Sequence, residues 1–181
     1  MTELVLVTGG SRCGKSDFAQ QMAEALAGPR IFLATCPEVD DEIGERIRRH
    51  RELRQDRGWQ TIEEPLDPAA VIARCPDGTT LLLDCLTLWV SNLMYKADLQ
   101  ERHLDEEEVR QRAEELAAAA RAHAGTVIMV TNEVGMGVVP DNRQARLYRD
   151  LVGRCNQCIA RAADRVYLVS CGIPLQLKGR E

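Results

Sequence analysis

The sequence predicts an α/β protein built on an open, mostly parallel sheet. Short runs rich in leucine and β-branched residues alternate with longer stretches of helical periodicity, the pattern of strand–helix–strand units joined by right-handed crossovers. The strand runs are continuously apolar rather than alternating, as expected where both faces of a sheet are covered. The first run passes through a glycine-rich turn straight into a helical stretch.

Taken in order, LVLVT (4–8), RIFLAT (30–35), TTLLLDC (79–85), TVIMVT (126–131) and RVYLVS (165–170) read as strands. WQTIEE (59–64) is a weaker one, and IPLQLK (173–178) suits an antiparallel edge strand. Helical patterns fall at 15–27, 38–56, 66–75, 86–97, 104–123 and 143–163. DLQERHLDEEE (98–108) is the most polar segment, a surface connection whose acids open the 104–123 helix and suit its dipole. There is no internal repeat and no low-complexity linker, so residues 1–181 are expected to form one domain.

Apolar residues at 45% and charged residues at 28% give an ordinary globular balance. A net charge of −5 argues against a general nucleic-acid binder, whose affinity comes from positive surface on phosphates. No apolar run approaches the roughly 20 residues of a membrane helix. MTELVLVTGG has no basic flank or cleavage site, so no signal peptide is expected. Seven scattered cysteines, an odd number, suggest free thiols in a reducing cytoplasm.

Residues 9–16 read GGSRCGKS and match the phosphate-binding pattern G-x-x-x-x-G-K-[ST] at Gly9, Gly14, Lys15 and Ser16. The strand before it and the helix after it are the context this mechanism requires. Glycines let backbone N–H groups turn onto phosphate oxygens, and the helix N-terminus adds positive potential. Lys15 would reach the β- and γ-phosphates, and Ser16 would ligate Mg²⁺. Such a loop needs a carboxylate on a neighbouring strand, and Asp84 closes LLLDC. Asp84 could equally cap the helix that follows, and the two roles can coexist. The two motifs imply a nucleotide and Mg²⁺ without specifying a reaction.

Cys155 and Cys158 form a C-x-x-C, yet no second pair supplies the further ligands of a zinc site. They fit better as packing residues on the 143–163 helix. His103 and His123, near helix ends in polar surroundings, are expected at the surface.

GERIRRHRELRQDRGW (44–59) holds one histidine among six arginines. At about 100° per residue with Ile43 at zero, Val39 falls at about −40°, Ile47 about +40°, His50 about −20°, Arg46 about −60° and Arg54 about +20°. His50 therefore lies in the apolar stripe with arginines at its shoulder. Spacing alone allows either a satisfied core histidine or a phosphate-side imidazole. The surrounding positive charges disfavour protonation, and a neutral imidazole is a competent nucleophile toward phosphorus.

VTGGSRCGKS, ERIRRHRELR, LLLDCLTLWVSNLM and TNEVGMGVVPDNRQARLYRDLVGRCNQ together resemble the bifunctional adenosylcobinamide kinase / adenosylcobinamide-phosphate guanylyltransferase family. The likeness runs nearly end to end, and NEVGMGVVP is far more specific than the phosphate loop. It implies a RecA-like P-loop fold with helices on both faces of the sheet, assembly as a homotrimer, and two activities in cobalamin assembly. The first phosphorylates adenosylcobinamide with GTP or ATP. The second transfers GMP from GTP to the resulting phosphate through GMP on a histidine, which here matches His50. The nucleotide-binding positions implied are Gly9, Gly10, Ser11, Arg12, Cys13, Gly14, Lys15 and Ser16; Ala34, Thr35 and Cys36; Arg51, Glu52, Leu53 and Arg54; and Glu63 and Asp84. Ser16 and Asp84 would hold Mg²⁺, and Glu63 or Asp84 could meet base, ribose or metal. Cys13 stands where the family usually has serine, and RQDRGW replaces the usual R-P, which bears on Arg54.

Overall fold

The computed structural model describes residues 2–36 and 57–179. Their element order is β1 (Glu3–Gly9), α1 (Lys15–Glu24), β2 (Arg30–Ala34), β3 (Trp59–Glu63), α2 (Pro68–Ile72), β4 (Thr80–Asp84), α3 (Leu86–Leu99), α4 (Glu106–Ala122), β5 (Thr126–Val130), α5 (Arg143–Ala162), β6 (Arg165–Ser170) and β7 (Ile173–Lys178). A single turn of 3₁₀ helix, Val134–Met136, lies between β5 and α5. The strands form one seven-stranded sheet in the order β3-β2-β4-β5-β1-β6-β7. All neighbours are parallel except β7, which runs antiparallel to β6 at the edge.

The continuous apolar runs divide by strand period. Leu4, Leu6, Ile31, Leu33, Leu81, Leu83, Val127 and Met129 join one buried cluster with α3, α4 and α5. Val5, Val7, Phe32, Leu82, Ile128 and Val130 face the other way and pack with Phe18, Ala19, Met22 and Ala23 of α1. Side chains alternate between faces along a strand, so a strand buried on both faces must be apolar at every position. Helices on both faces of a mostly parallel sheet are what the sequence predicts.

Local signals set the helix ends. Asp105 caps α4 by accepting from Glu108 N at 2.8 Å, and Glu106, Glu107 and Glu108 occupy the first turn. Asn142 caps α5 through Gln144 N and Ala145 N. The helix expected over 66–75 contracts to Pro68–Ile72, capped by Asp67. Pro76 disfavours helical geometry at Cys75, which stops it early. The 86–97 helix runs two residues further, to Leu99.

Cys155 and Cys158 are buried on α5 beside Leu151, Val152 and Ile159, as packing residues. Burial pushes both thiols up. His123 corrects the expectation of a surface role, because it is only 6% exposed. Its Nε2 lies 2.8 Å from the Thr79 carbonyl, a partner 44 residues away that the polar local sequence does not reveal. Among the described residues, no helix is long and apolar enough to cross a membrane.

Candidate functional site

β1 delivers the chain into the glycine-rich loop at Gly9, and α1 takes it away at Lys15. Gly14 adopts φ 91° as the N-cap of α1, and Arg12 is also left-handed at φ 56°. A Cβ on Gly9 would run into the Val169 carbonyl of β6 and stand 2.6 Å from Cys13 Sγ, so only glycine fits there. No side chain caps α1. Its first N–H groups therefore remain available to phosphate oxygens, where the helix dipole adds positive potential. Lys15 is 8% exposed, and its Nζ donates to the Gly10 carbonyl at 3.1 Å, folding the ammonium over the loop.

The loop is braced from outside. Gly172, in the β6–β7 turn, donates its N–H to the Cys13 carbonyl at 2.8 Å. Cys13 itself turns its side chain toward the cluster containing Phe18 and Tyr167. Its sulfur thus serves packing while its backbone serves the loop, which fits a position tolerant of serine or cysteine.

Strand register gathers the other candidates at the same end of the sheet. Glu63 pairs with Ala34, Ala34 with Asp84, and Asp84 with Val130, giving one row across β3, β2, β4 and β5. The row ends on Val7, two residues before Gly9. Ligands of open α/β sheets bind at such carboxyl ends. Thr35 is fully buried, and its hydroxyl accepts from Cys85 N and donates to the Cys85 carbonyl, both at 2.8 Å. Its own carbonyl accepts from Asn92 Nδ2 at 2.7 Å. Thr35 thus clamps the chain just after Asp84. Burial, with the Asp84 charge beside it, pushes the Cys85 thiol up to about 11, which leaves it protonated and unreactive.

The phosphate loop Gly9–Ser16, the Ala34–Cys36 segment and Asp84 come together here, with Glu63 further along the row on the edge strand β3. His50, Arg51, Glu52, Leu53 and Arg54 lie outside the described residues. A metal held here would find its protein donors in the Ser16 hydroxyl at the start of α1 and the Asp84 carboxylate at the end of β4, beside a substrate's phosphates. That hard oxygen set suits Mg²⁺, which commonly takes one or two carboxylates plus substrate phosphates.

The polar residues of the segment after β5 carry no role that the sequence alone assigns. Glu133 N donates to the Gly9 carbonyl at 3.1 Å, and Glu133 Oε1 accepts from Thr8 Oγ1 at 2.9 Å. Thr131 Oγ1 donates to Asn156 Oδ1 at 2.7 Å, and Asn156 Nδ2 donates to the Asn132 carbonyl at 3.1 Å. Asn132 Nδ2 reaches Thr87 Oγ1 at 3.1 Å. Tyr148, whose hydroxyl burial pushes up to about 12, donates to the Thr87 carbonyl at 3.2 Å. The polar run TNE between an apolar strand and a glycine was the available signal.

Known proteins match this arrangement in sequence and in fold. The chain is 40% identical to the bifunctional adenosylcobalamin biosynthesis protein CobU of Salmonella typhimurium, covering 97% of this chain and 99% of that protein. It is 39% identical to the bifunctional adenosylcobalamin biosynthesis protein CobP of Pseudomonas aeruginosa, over 96% of each. Among solved structures, the KaiC-like protein PH0186 of Pyrococcus horikoshii superposes with a TM-score of 0.52 at 17% identity, covering 92% of this chain and 70% of that one. That likeness speaks for the RecA-like fold alone. The family model described as cobinamide kinase / cobinamide phosphate guanyltransferase matches residues 5–177, a span from within β1 into β7 that includes the phosphate loop, Asp84 and the segment after β5, and the chain belongs to that family.

Proposed function

We propose that this protein is a bifunctional enzyme of cobalamin biosynthesis. It phosphorylates adenosylcobinamide with a nucleoside triphosphate, GTP or ATP. It then transfers GMP from GTP to adenosylcobinamide phosphate, giving adenosylcobinamide-GDP and pyrophosphate. The observation that carries this reading is the family match over residues 5–177. The phosphate loop, with uncapped N–H groups and Lys15 folded across it, supports a triphosphate cradle.

In the kinase step the loop N–H groups and Lys15 hold the triphosphate and take up charge developing on the transferred phosphoryl group. Ser16 and Asp84 would hold Mg²⁺, which neutralises phosphate charge when bound. In the second step a nitrogen of His50 attacks the α-phosphorus of GTP. A nitrogen–phosphorus bond forms, the bond to the β-phosphate bridge breaks, and pyrophosphate leaves. A phosphate oxygen of the corrinoid then displaces His50, splitting one difficult exchange into two displacements. β3 lies four strand spacings from β1, about 19 Å at about 4.8 Å each. That separation supports Glu63 at the nucleoside end of GTP rather than at its terminal phosphates. We assign the activity to a single domain in a cytoplasmic homotrimer.

Incubation with GTP labelled at the α-phosphate tests the reading. One acid-labile, base-stable GMP per chain is expected on the peptide containing His50, and none after His50→Asn. A protein that phosphorylates cobinamide without ever labelling is a single-activity kinase. One that hydrolyses nucleotide without either reaction is an ATPase module of the same fold.

A further inference from the structure

Resting on the reading above, we propose that Glu133 is the general base of the phosphorylation step, taking the proton of the acceptor hydroxyl at Oε2, in a place completed by Asn132. β5 runs between β1, which carries the phosphate loop, and β4, which ends in Asp84. The residues leaving β5 therefore emerge between the cradle and the candidate metal carboxylate. Glu133 is held there by its N–H on the Gly9 carbonyl, while Lys15 Nζ lies on the adjacent Gly10 carbonyl. Since that lysine marks where terminal phosphates are held, the carboxylate stands beside the end of the triphosphate at which transfer occurs.

The chemistry of this corner is that of acceptors awaiting a donor. Both described hydrogen bonds to the Glu133 carboxylate, from Thr8 Oγ1 at 2.9 Å and Asn156 Nδ2 at 3.5 Å, fall on Oε1. That leaves Oε2 for a substrate. On the preceding residue, Asn132 Oδ1 is buried with no hydrogen-bond partner, one of two such side-chain atoms among the described residues. A buried acceptor left without a donor costs about 1–3 kcal/mol, so it calls for an incoming hydroxyl or an ordered water. Among the described residues, no lysine or arginine donates to either side chain.

The step balances. The acceptor oxygen bonds to the γ-phosphorus, the bond from phosphorus to the β,γ-bridging oxygen breaks, and that oxygen leaves on the nucleoside diphosphate. The hydroxyl proton passes to Glu133. The Thr8 bond keeps the carboxylate turned toward the loop, and Asn132 Nδ2, fixed on Thr87, orients its own oxygen.

Glu133→Gln is the test, because an amide oxygen can still accept from Thr8 while the basic group is gone. Cobinamide phosphorylation should fall by about 10²–10⁴ in kcat, with thermal stability and nucleotide KM little changed. Glu133→Asp should recover part of the rate. A residue that merely braces the loop would instead move nucleotide KM and melting temperature. The proposal is overturned by a Gln variant as fast as wild type, or by one whose loss lies in nucleotide KM and melting temperature rather than in kcat. Failure of the wild type to phosphorylate cobinamide at all would defeat the broader reading; activity in both proteins defeats only the base.

Discussion

Lys15 combines two properties that rarely coexist: it is charged, and it is buried with 8% of its surface exposed. Its one described hydrogen bond is to the Gly10 carbonyl, a weak substitute for anionic oxygens. The loop therefore holds the ammonium buried and aimed, and a triphosphate meets it with little reorganisation. Both proposed reactions begin with a triphosphate in this cradle. Lys15→Ala should then depress cobinamide phosphorylation and GMP labelling together, each by two or more orders of magnitude, on the order of the 10²–10³ lost with one preorganised donor. Selective loss of one activity in a folded variant would require a second nucleotide site. This lysine was legible at once, since a glycine-rich octet between strand and helix has few other uses. Glu133 was not, because its significance lies in contacts with Thr8 and Gly9 more than 120 residues away in sequence.

Elements carry the site by their ends. β2 and β4 pair in register from Arg30 and Thr80 to Ala34 and Asp84, and the Thr35 hydroxyl then ties β2 to the backbone of Cys85. One buried side chain thus satisfies an N–H and a carbonyl that no strand neighbour reaches. Thr35→Val keeps the shape and removes both bonds, leaving the Cys85 N–H unpaired and its carbonyl with the Trp89 N–H alone. A loss of about 1–3 kcal/mol is expected in urea unfolding, together with slower phosphorylation, because Asp84 is the preceding residue. Unchanged stability and activity would show that the clamp does not hold Asp84. The strands themselves were readable because residues covered on both faces must be apolar throughout. The helix after β3 was overestimated because its apolar pattern continues to Cys75 while Pro76 ends it from outside that pattern. His123 was misread for a related reason. Its partner, the Thr79 carbonyl, belongs to the loop before β4, and no local pattern announces which loop lies beneath a helix end.

Across the whole molecule, the strand carrying the phosphate loop must be fixed at its far end as well. Leu4 N donates to Asp164 Oδ2 at 2.8 Å, and Asp164 N donates to the Leu4 carbonyl at 2.7 Å. Arg121, in the last turn of α4, donates to Asp164 Oδ1 at 3.2 Å and to the Ala162 carbonyl at 2.8 Å. Asp164 therefore joins the start of β1, the entry to β6 and the end of α4, opposite the nucleotide site. The Leu4 N–H foremost holds its carboxyl below the ordinary value; burial, the next largest effect, opposes it, and Arg121 adds to the lowering. A carboxylate whose folded pKa lies below its unfolded one stabilises the fold above the unfolded pKa, and loses that contribution as pH falls through the folded value. Asp164→Asn keeps an acceptor for Leu4 but removes the charge. At neutral pH the variant should be less stable by about 0.5–1.5 kcal/mol, the scale of one hydrogen bond's net worth. Discounting for solvent keeps the Arg121 share small, since both partners are substantially exposed. On acidification the gap between the two proteins should close, because wild-type Asp164 becomes neutral like its replacement, while every other carboxylate titrates in both and cancels. Urea unfolding of the two proteins at neutral pH and well below the carboxylate range measures that gap. A gap that stays constant or widens in acid would mean that the charge on Asp164 does not anchor β1.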